Sequence, residues 1–311
     1  MNVNKVLLTG ASGFIGRYLC RILNDNNIKI YAIFRSEKSY EKNASSLKNV
    51  IPVICDLDEI KILPDLINCD SIDTVYHLAW DGVSGVDRGD HDLQLNNIAN
   101  TLNLVSVAKT IGCRRFIGVG STAEYDAYNA SIEDGICPNL VSMYGISKLT
   151  AQLMTKVMCN AYGLEHVWGI VGNTFGVGDY SNNFINFASK LIMSDDDANF
   201  TSGEQNYDFI YVTDVAKALY CIGNSGKDKC SYYIGSGEPR KLKEYIVEIR
   251  DIINPNKKLK MGAVPFNGKS SPIEVFDINN ITKDKGFLPK ISFGVGVKKT
   301  VEWLKGENAD V

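Results

Sequence analysis

Three side chains in this sequence have the types and spacing needed to move a proton onto or off an oxygen: Ser121, Tyr144 and Lys148. The run Tyr144-Gly145-Ile146-Ser147-Lys148 sets a phenol and an ammonium one turn apart on the same face of a helix predicted to start near Ser142. A phenol ordinarily ionises near pH ~10, and a neighbouring cation favours the phenolate, which brings Tyr144 toward useful acid/base behaviour. Gly120-Ser121-Thr122 follows a β-branched run and leaves a predicted strand at its C-terminal end. Ligands bind at that end in a doubly wound sheet, so Ser121 is placed to hydrogen-bond the reacting oxygen, with Thr122 as the second candidate.

A glycine-rich turn supplies the partner chemistry. Gly10-Ala11-Ser12-Gly13-Phe14-Ile15-Gly16 lies between the first predicted strand and a helix opening near Phe14. Glycines there let the turn close, let a pyrophosphate approach the backbone and let the helix sit close on its strand, while the helix N-terminus offers donors to an anion. In this strand–turn–helix context Gly10, Ser12, Gly13, Phe14, Ile15 and Gly16 read as a dinucleotide-binding turn. At the end of the second predicted strand an acid suits the ribose hydroxyls of NAD, whereas a base accommodates the 2′-phosphate of NADP. Arg35 and Ser36 stand there, so NADP(H) is expected ahead of NAD(H).

These groups need a scaffold, and the first half of the chain alternates short β-branched runs with helical patterns, the mark of a parallel sheet covered on both faces. Strands are expected at 5–8, 29–34, 50–54, 74–78, 115–119 and 164–171, and helices at 92–111 and from 142 to Gly163. On the helix at 92–111, Leu95, Ile98, Leu102, Val105 and Ile111 are expected to face the sheet. The expected fold class is α/β: a doubly wound parallel sheet (Rossmann fold) with a smaller, interwoven C-terminal substrate-binding domain. The nucleotide domain is expected over 1–172 with returning segments near 208–220 and 232–237, and the substrate region over 173–207 and 238–311.

A net charge of -3 offers no attractor for a nucleic acid. No apolar run approaches the roughly 20 residues of a membrane span, and the apolar stretch after Lys5 is too short for a secretory signal. Eight scattered cysteines without a Cys-x-x-Cys pair suggest reduced thiols in a cytoplasmic protein, and no companion ligands near His77 support a metal site.

The Gly-x-x-Gly-x-x-Gly spacing, the Tyr-x-x-x-Lys pair and the strand-end Ser together resemble the short-chain dehydrogenase/reductase superfamily. The chain length points to its extended branch, the NAD-dependent epimerase/dehydratase family that modifies nucleotide sugars. The resemblance implies that Tyr144 is the acid/base, that Lys148 lowers its pKa and holds the nicotinamide ribose, and that Ser121 orients the substrate oxygen. It further implies that Asp56 and Leu57 contact adenine, and that Leu78, Ala79 and Asn97 belong to segments around the cofactor. Asn173 matches a position touching the nucleotide diphosphate.

Two departures stand out. Ile170 replaces an Arg common before that Asn, and Tyr207 replaces an Arg that commonly grips the diphosphate. Arg240 and Arg88 are candidate substitutes. Sugar 4,6-dehydratases of the family place an Asp-Glu pair directly after the strand-end hydroxyl residue, and counting from Ser121 those positions are Thr122 and Ala123, which argues against elimination. A reductase and an epimerase with retained NAD remain; Arg35 tips the expectation to a reductase of 4-keto-6-deoxy nucleotide sugars. A non-catalytic dinucleotide-binding regulator is the third reading, and a homodimer through the helices at 92–111 and 142–162 is expected by analogy.

Overall fold

The structure, a computed structural model, describes residues 3–67, 69, 71–133, 142–266, 268 and 270–306. Contiguous runs such as Val6-Leu7-Leu8 and Phe116-Ile117 are apolar at successive positions because their strands are covered on both faces. They build a seven-stranded sheet from β1 (Lys5–Thr9), β2 (Lys29–Phe34), β3 (Val50–Ile54), β4 (Thr74–His77), β5 (Arg115–Ser121), β6 (Glu165–Val171) and the strand Cys230–Ile234. The order across the sheet is Cys230–Ile234, β6, β5, β4, β1, β2, β3. All pairings from β6 to β3 are parallel, with Leu8 opposite Ala32, Thr9 opposite His77, His77 opposite Gly118 and Ser121 opposite Val171. This registration brings the C-terminal ends of β1, β4 and β5 to one edge. The strand order reverses between β1 and β4, the switch point at which such sheets bind ligands.

Among the described residues up to Val171, six α-helices accompany the strands: α1 (Phe14–Asp25), α2 (Glu37–Asn43), α3 (Leu63–Leu66), α4 (His91–Thr110), α5 (Ala123–Ile132) and α6 (Ser142–Tyr162). Leu7, Leu8, Leu19, Leu23, Ile30, Phe116 and Trp168 are almost wholly buried among them. Each such side chain contributes about 1.5–3 kcal/mol by leaving water.

The buried face of α4 differs from the expectation. Leu95 is exposed, and in its first half the inward residues are Gln94, Asn97, Asn100 and Thr101. A polar face is tolerated there because Gln94 and Asn97 hydrogen-bond Trp80 and Asp81 in the loop after β4, Asn100 donates to Asp58 after β3, and Thr101 lies 2.9 Å from His77 Nε2. Apolar burial resumes at Leu104, Val105, Val107 and Ala108.

The chain divides into two compact units, 1–171 with 216–233 and 280–287, and 172–215 with 234–279 and 288–311. The return to the first unit begins at 216 and not near 208, because Phe209–Tyr211 pairs in parallel with Asn173–Phe175 in the second unit. Residues 280–287 also join the first unit, where Asp284 Oδ1 lies 2.6 Å from Lys227 Nζ and Cys221 Sγ donates to Lys285 O at 3.6 Å. The second unit packs Phe175, Phe209, Tyr211, Tyr245 and Phe293 edge to face or tilted. Among the described residues no helix is long and apolar enough to cross a membrane, and no three His, Cys, Asp or Glu side chains cluster to hold a metal ion. The seven described cysteines are free thiols; Cys137 lies outside the described residues.

Candidate active site

The glycine turn is shaped by close approach. Gly10 has φ +74°, and a Cβ on it would meet Ala79 N at 2.8 Å; one on Gly16 would meet Gly10 O at 2.0 Å. The turn is thus pressed against Leu78 and Ala79, both named from the sequence, and any larger residue would push it open. Gly13 N donates to Gly10 O at 2.9 Å and caps α1 with no side chain over its first turn, where Ser12 is exposed and Phe14 and Ile15 are half-buried. The cradle that a Cβ would fill, opening a helix whose first amides carry no side-chain cap, fits the pyrophosphate of a dinucleotide.

Beneath it, Thr9 and His77 close β1 and β4. Thr9 Oγ1 accepts from Leu78 N and Ala79 N, both at 3.2 Å, and lies 2.8 Å from His77 Nδ1; His77 Nε2 lies 2.9 Å from Thr101 Oγ1, which itself donates to Asn97 O. Thr101 must therefore accept from Nε2–H while Thr9 donates to Nδ1, so His77 is a neutral tautomer with both nitrogens occupied. Burial holds its pKa down to about 3. Asn97 accepts from Asp81 N at 3.0 Å and donates to Asp81 O at 2.8 Å, fixing the loop after β4.

At the end of β2, Arg35 donates to Asp81 Oδ1 and Oδ2 at 2.5 and 2.7 Å, and its Nε lies 3.9 Å from Asp56. The Asp81 hydrogen bond is the main reason that Arg35 holds its proton above the usual guanidinium range. Asp58, whose pKa Asn100 and Asn96 lower by hydrogen bonding, faces the same side. Arg35 is therefore ringed by carboxylates, a feature no local spacing announces. Ser36 caps α2 by accepting from Ser39 N, Asp56 caps the 3-10 turn that follows β3, and Leu57 is buried.

Ser121, Tyr144 and Lys148 come together at the end of β5. The Ser121 side chain shares a hydrogen bond with the Tyr144 phenol, and its Oγ accepts from Ala123 N at 3.3 Å. Thr122 stands at the N-cap of α5 and makes no side-chain hydrogen bond to its first turn. Trp80 stands edge-on to the Tyr144 ring, with centroids 6.3 Å apart. Burial pushes the Tyr144 phenol above its ordinary value; the Arg88 guanidinium and the Ser121 hydrogen bond pull it back, and Glu124 pushes it up.

Lys148 differs from the expectation. It is 5% exposed, donates to Val119 O at 2.9 Å and lies 3.8 Å from the Trp80 ring centroid, but 6.0 Å from that of Tyr144. Burial lowers its pKa, and the Glu124 carboxylate opposes that shift. Arg88 also lies over the Tyr144 ring, its Cζ 4.4 Å from the centroid.

Glu124, missed in the sequence, is 2% exposed on α5. Its carboxylate accepts from Ser121 N at 2.9 Å and from Trp168 Nε1 at 3.2–3.3 Å, while burial pushes its pKa up. The signal that could have found it is the pair of glycines in β5. A Cβ on Gly120 would fall 2.0 Å from Glu124 Oε1, and one on Gly118 would fall 1.9 Å from the Trp168 ring. Glycines inside a strand mark such intrusions.

In the second unit, Tyr207 and Arg240 are cross-strand partners. Tyr207 stacks on Phe209 at 5.5 Å, so its ring is part of the aromatic cluster. Arg240 lines a cavity of roughly 430 Å³ with Glu238, Glu248, Ser292 and Phe293, paired to Glu248 Oε2 at 2.5 Å and stacked 4.2 Å from the Tyr245 centroid. Asn173 donates to Asp208 O through its side chain at 3.2 Å.

The model of the NAD dependent epimerase/dehydratase family matches residues 6–235 of this chain. The chain belongs to that family. It is an NAD(P)-dependent enzyme of the extended short-chain dehydrogenase/reductase type. Within the family it is similar to the CDP-abequose synthase of Salmonella typhimurium, 24% identical over 96% of this chain and 98% of the relative. It is equally similar to the dTDP-glucose 4,6-dehydratase of Haemophilus influenzae, 24% identical over 96% and 97%. Its fold matches the UDP-glucose 4-epimerase of Thermotoga maritima with a TM-score of 0.79, at 21% identity and over 97% and 99% of the two chains.

Proposed function

We propose that the protein reduces the 4-keto group of a 4-keto-6-deoxy nucleotide-diphosphate sugar, with Tyr144 donating the proton. The observation that carries this is the Tyr144 phenol hydrogen-bonded to Ser121 at the C-terminal end of β5, with Lys148 one turn along α6. Bound NADP(H) would supply the hydride from nicotinamide C4, held by the glycine turn. Ser121 orients the carbonyl oxygen, Tyr144 protonates it, and Lys148 binds the nicotinamide ribose. Elimination is disfavoured because Ala123 carries no acid or base and the Glu124 carboxylate is engaged by Ser121 N and Trp168. Asn173, Arg240, Thr122 and Tyr207 are assigned to the substrate. Arg240, opposite Tyr207 in register, takes over from the missing diphosphate Arg.

NADP(H) is assigned through Arg35 and Ser36. The Arg35–Asp81 pair is exposed, at 61% and 47% of the two side chains, and such a pair is worth about 0–1 kcal/mol, so a 2′-phosphate can take the guanidinium over. Asp56, Leu57, Leu78, Ala79 and Asn97 complete the cofactor set. The carboxylates around Arg35 favour a second reading, an epimerase that keeps NAD(H), since Asp81 and Asp56 suit ribose hydroxyls. The deciding experiment is to release and identify the dinucleotide of the purified protein and to follow NADPH oxidation with a 4-keto-6-deoxy sugar nucleotide. Steady NADPH consumption supports the reductase; tightly held NAD and no consumption overturn it in favour of the epimerase.

A homodimer through α4 and α6 is supported by Leu95 and by Ile146, Leu153 and Val157, exposed on those helices at spacings that make a stripe on α6. The free thiols support a cytoplasmic location.

A further inference from the structure

We propose that Gln94 is a positioning residue: from α4 its buried amide fixes Trp80, whose ring packs against both Tyr144 and Lys148. The inference rests on the reaction proposed above, in which Tyr144 donates the proton. Trp80 lies in the loop after β4 and is 9% exposed. Its ring stands edge-on to that of Tyr144, at 87°, and the Lys148 ammonium lies 3.8 Å from its centroid. Edge-to-face rings and a cation over an indole are both attractive arrangements, and a single ring serves both only at one tilt. The indole N–H sets that tilt. Trp80 Nε1 donates to Gln94 Oε1 at 2.9 Å, while Gln94 Nε2 donates to Gly82 O at 3.2 Å and Asp87 O at 3.3 Å. An indole only donates and a carbonyl only accepts, so these partners leave the amide one orientation, with its oxygen and both its protons engaged.

The loop is shaped to receive that amide. Gly82 has φ +69°, and a Cβ there would meet Leu93 Cδ2 at 2.6 Å, Asp87 O at 2.8 Å and Gln94 Nε2 at 3.0 Å, so only glycine lets the chain pass this close to the helix. The 3-10 turn Gly85–Gly89 follows, with Asp90 N donating to Asp87 O at 3.2 Å and the Asp90 side chain capping α4 by accepting from Leu93 N at 3.0 Å. Gln94 sits one turn beyond that cap, on a helix of 20 residues, so its side chain projects from a rigid element. It is wholly buried, and water cannot stand in for a lost bond. Burying an amide costs free energy that its hydrogen bonds only return, and an apolar side chain of the same size would fill the space without that cost. What the amide adds is direction: the indole, the turn and the helix are held in one arrangement beside the reacting groups.

The test labels the indole nitrogens of Trp80, Trp168 and Trp303 in the full chain and compares the unmutated protein with Gln94→Met, Trp80→Phe and the double variant; Trp80→Phe also assigns the Trp80 signal. Gln94→Met keeps the volume and removes all three bonds. It is expected to speed exchange of the Trp80 N–H with solvent by about tenfold or more, with Trp168 and Trp303 unmoved. In the same variant kcat for NADPH-dependent reduction should fall about tenfold or more, while the KM for NADPH changes by less than about threefold. Because Gln94 acts through Trp80, the double variant should be no slower than the slower single variant. Unchanged Trp80 exchange or unchanged kcat in Gln94→Met overturns the proposal, and so do losses that multiply in the double variant. Should Gln94→Met not fold, Trp80→Phe decides, since it keeps a ring in place and cuts only the tether: kcat lowered by about threefold or more supports the proposal and full kcat overturns it. If the unmutated protein oxidises no NADPH with the sugar, the proposed reaction alone is lost, and Trp80 exchange still reads whether Gln94 holds the ring.

Discussion

Two clusters of charge lie at the C-terminal edge of the same sheet and differ in their access to water. Under Ser121, Glu124 and Lys148 are 2% and 5% exposed, and the Glu124 carboxylate is held by a backbone amide and an indole. At the end of β2, Arg35, Asp81 and Asp56 meet about half in solvent. Desolvation makes the first cluster costly to disturb, since removing one partner strands the other in a medium that cannot solvate it. The second is exchangeable at little cost. The contrast assigns fixed geometry to the proton-transfer corner and adjustable recognition to the cofactor's adenosine end.

Substitutions can break that contrast. Tyr144→Phe should lower turnover by about 10²–10⁴-fold with dinucleotide affinity nearly unchanged, measured by steady-state kinetics and by titration of the cofactor. Glu124→Ala should destabilise the fold by about 3–5 kcal/mol, whereas Asp81→Ala should change it by less than about 1 kcal/mol; urea unfolding of the two variants side by side decides between a buried and an exposed role.

The buried imidazoles sharpen the same point. His77 and His166 titrate at about 3 and about 4 in the folded chain because burial disfavours their charged forms. Unfolded, each takes up its proton near pH ~6.5, so their stabilisation is present above that value and is lost as pH falls toward 4 and 3. At pH 5 the loss is about 2 kcal/mol for each, visible as a lower urea midpoint than at pH 7.5, and a flat stability over that range would contradict neutral burial. Smallest of all, Arg35→Ala should leave stability within about 0.5 kcal/mol and erase any preference for NADPH over NADH.

Much of this was legible in the residues. Strand runs were recognisable because both faces of a parallel strand are apolar, and β2 and β3 fall where their sequences place them. The glycine turn and the Tyr–Lys pair are local patterns, so their elements and their neighbourhood could be read from spacing. What escaped was non-local. Glu124 looks like one more helical acid until Gly118 and Gly120 open the space in which its carboxylate meets Trp168. The guanidinium over Tyr144 comes from a 3-10 turn with no periodicity to report it. The inner face of α4 is polar where hydrophobic spacing predicts Leu95, because loop anchoring by Gln94, Asn97 and Asn100 outweighs apolar burial there. Carboxylates around Arg35 arrive from the ends of two other strands, Asp81 after β4 and Asp56 and Asp58 after β3.

The most direct test of the account follows a labelled hydride. NADPH carrying deuterium at the transferable nicotinamide C4 position is mixed with the protein and a 4-keto-6-deoxy nucleotide sugar, and the sugar product is examined by NMR. Deuterium at C4 of the product, absent with Tyr144→Phe, is the predicted result; a product without deuterium, or equal labelling with Tyr144→Phe, contradicts reduction through this phenol.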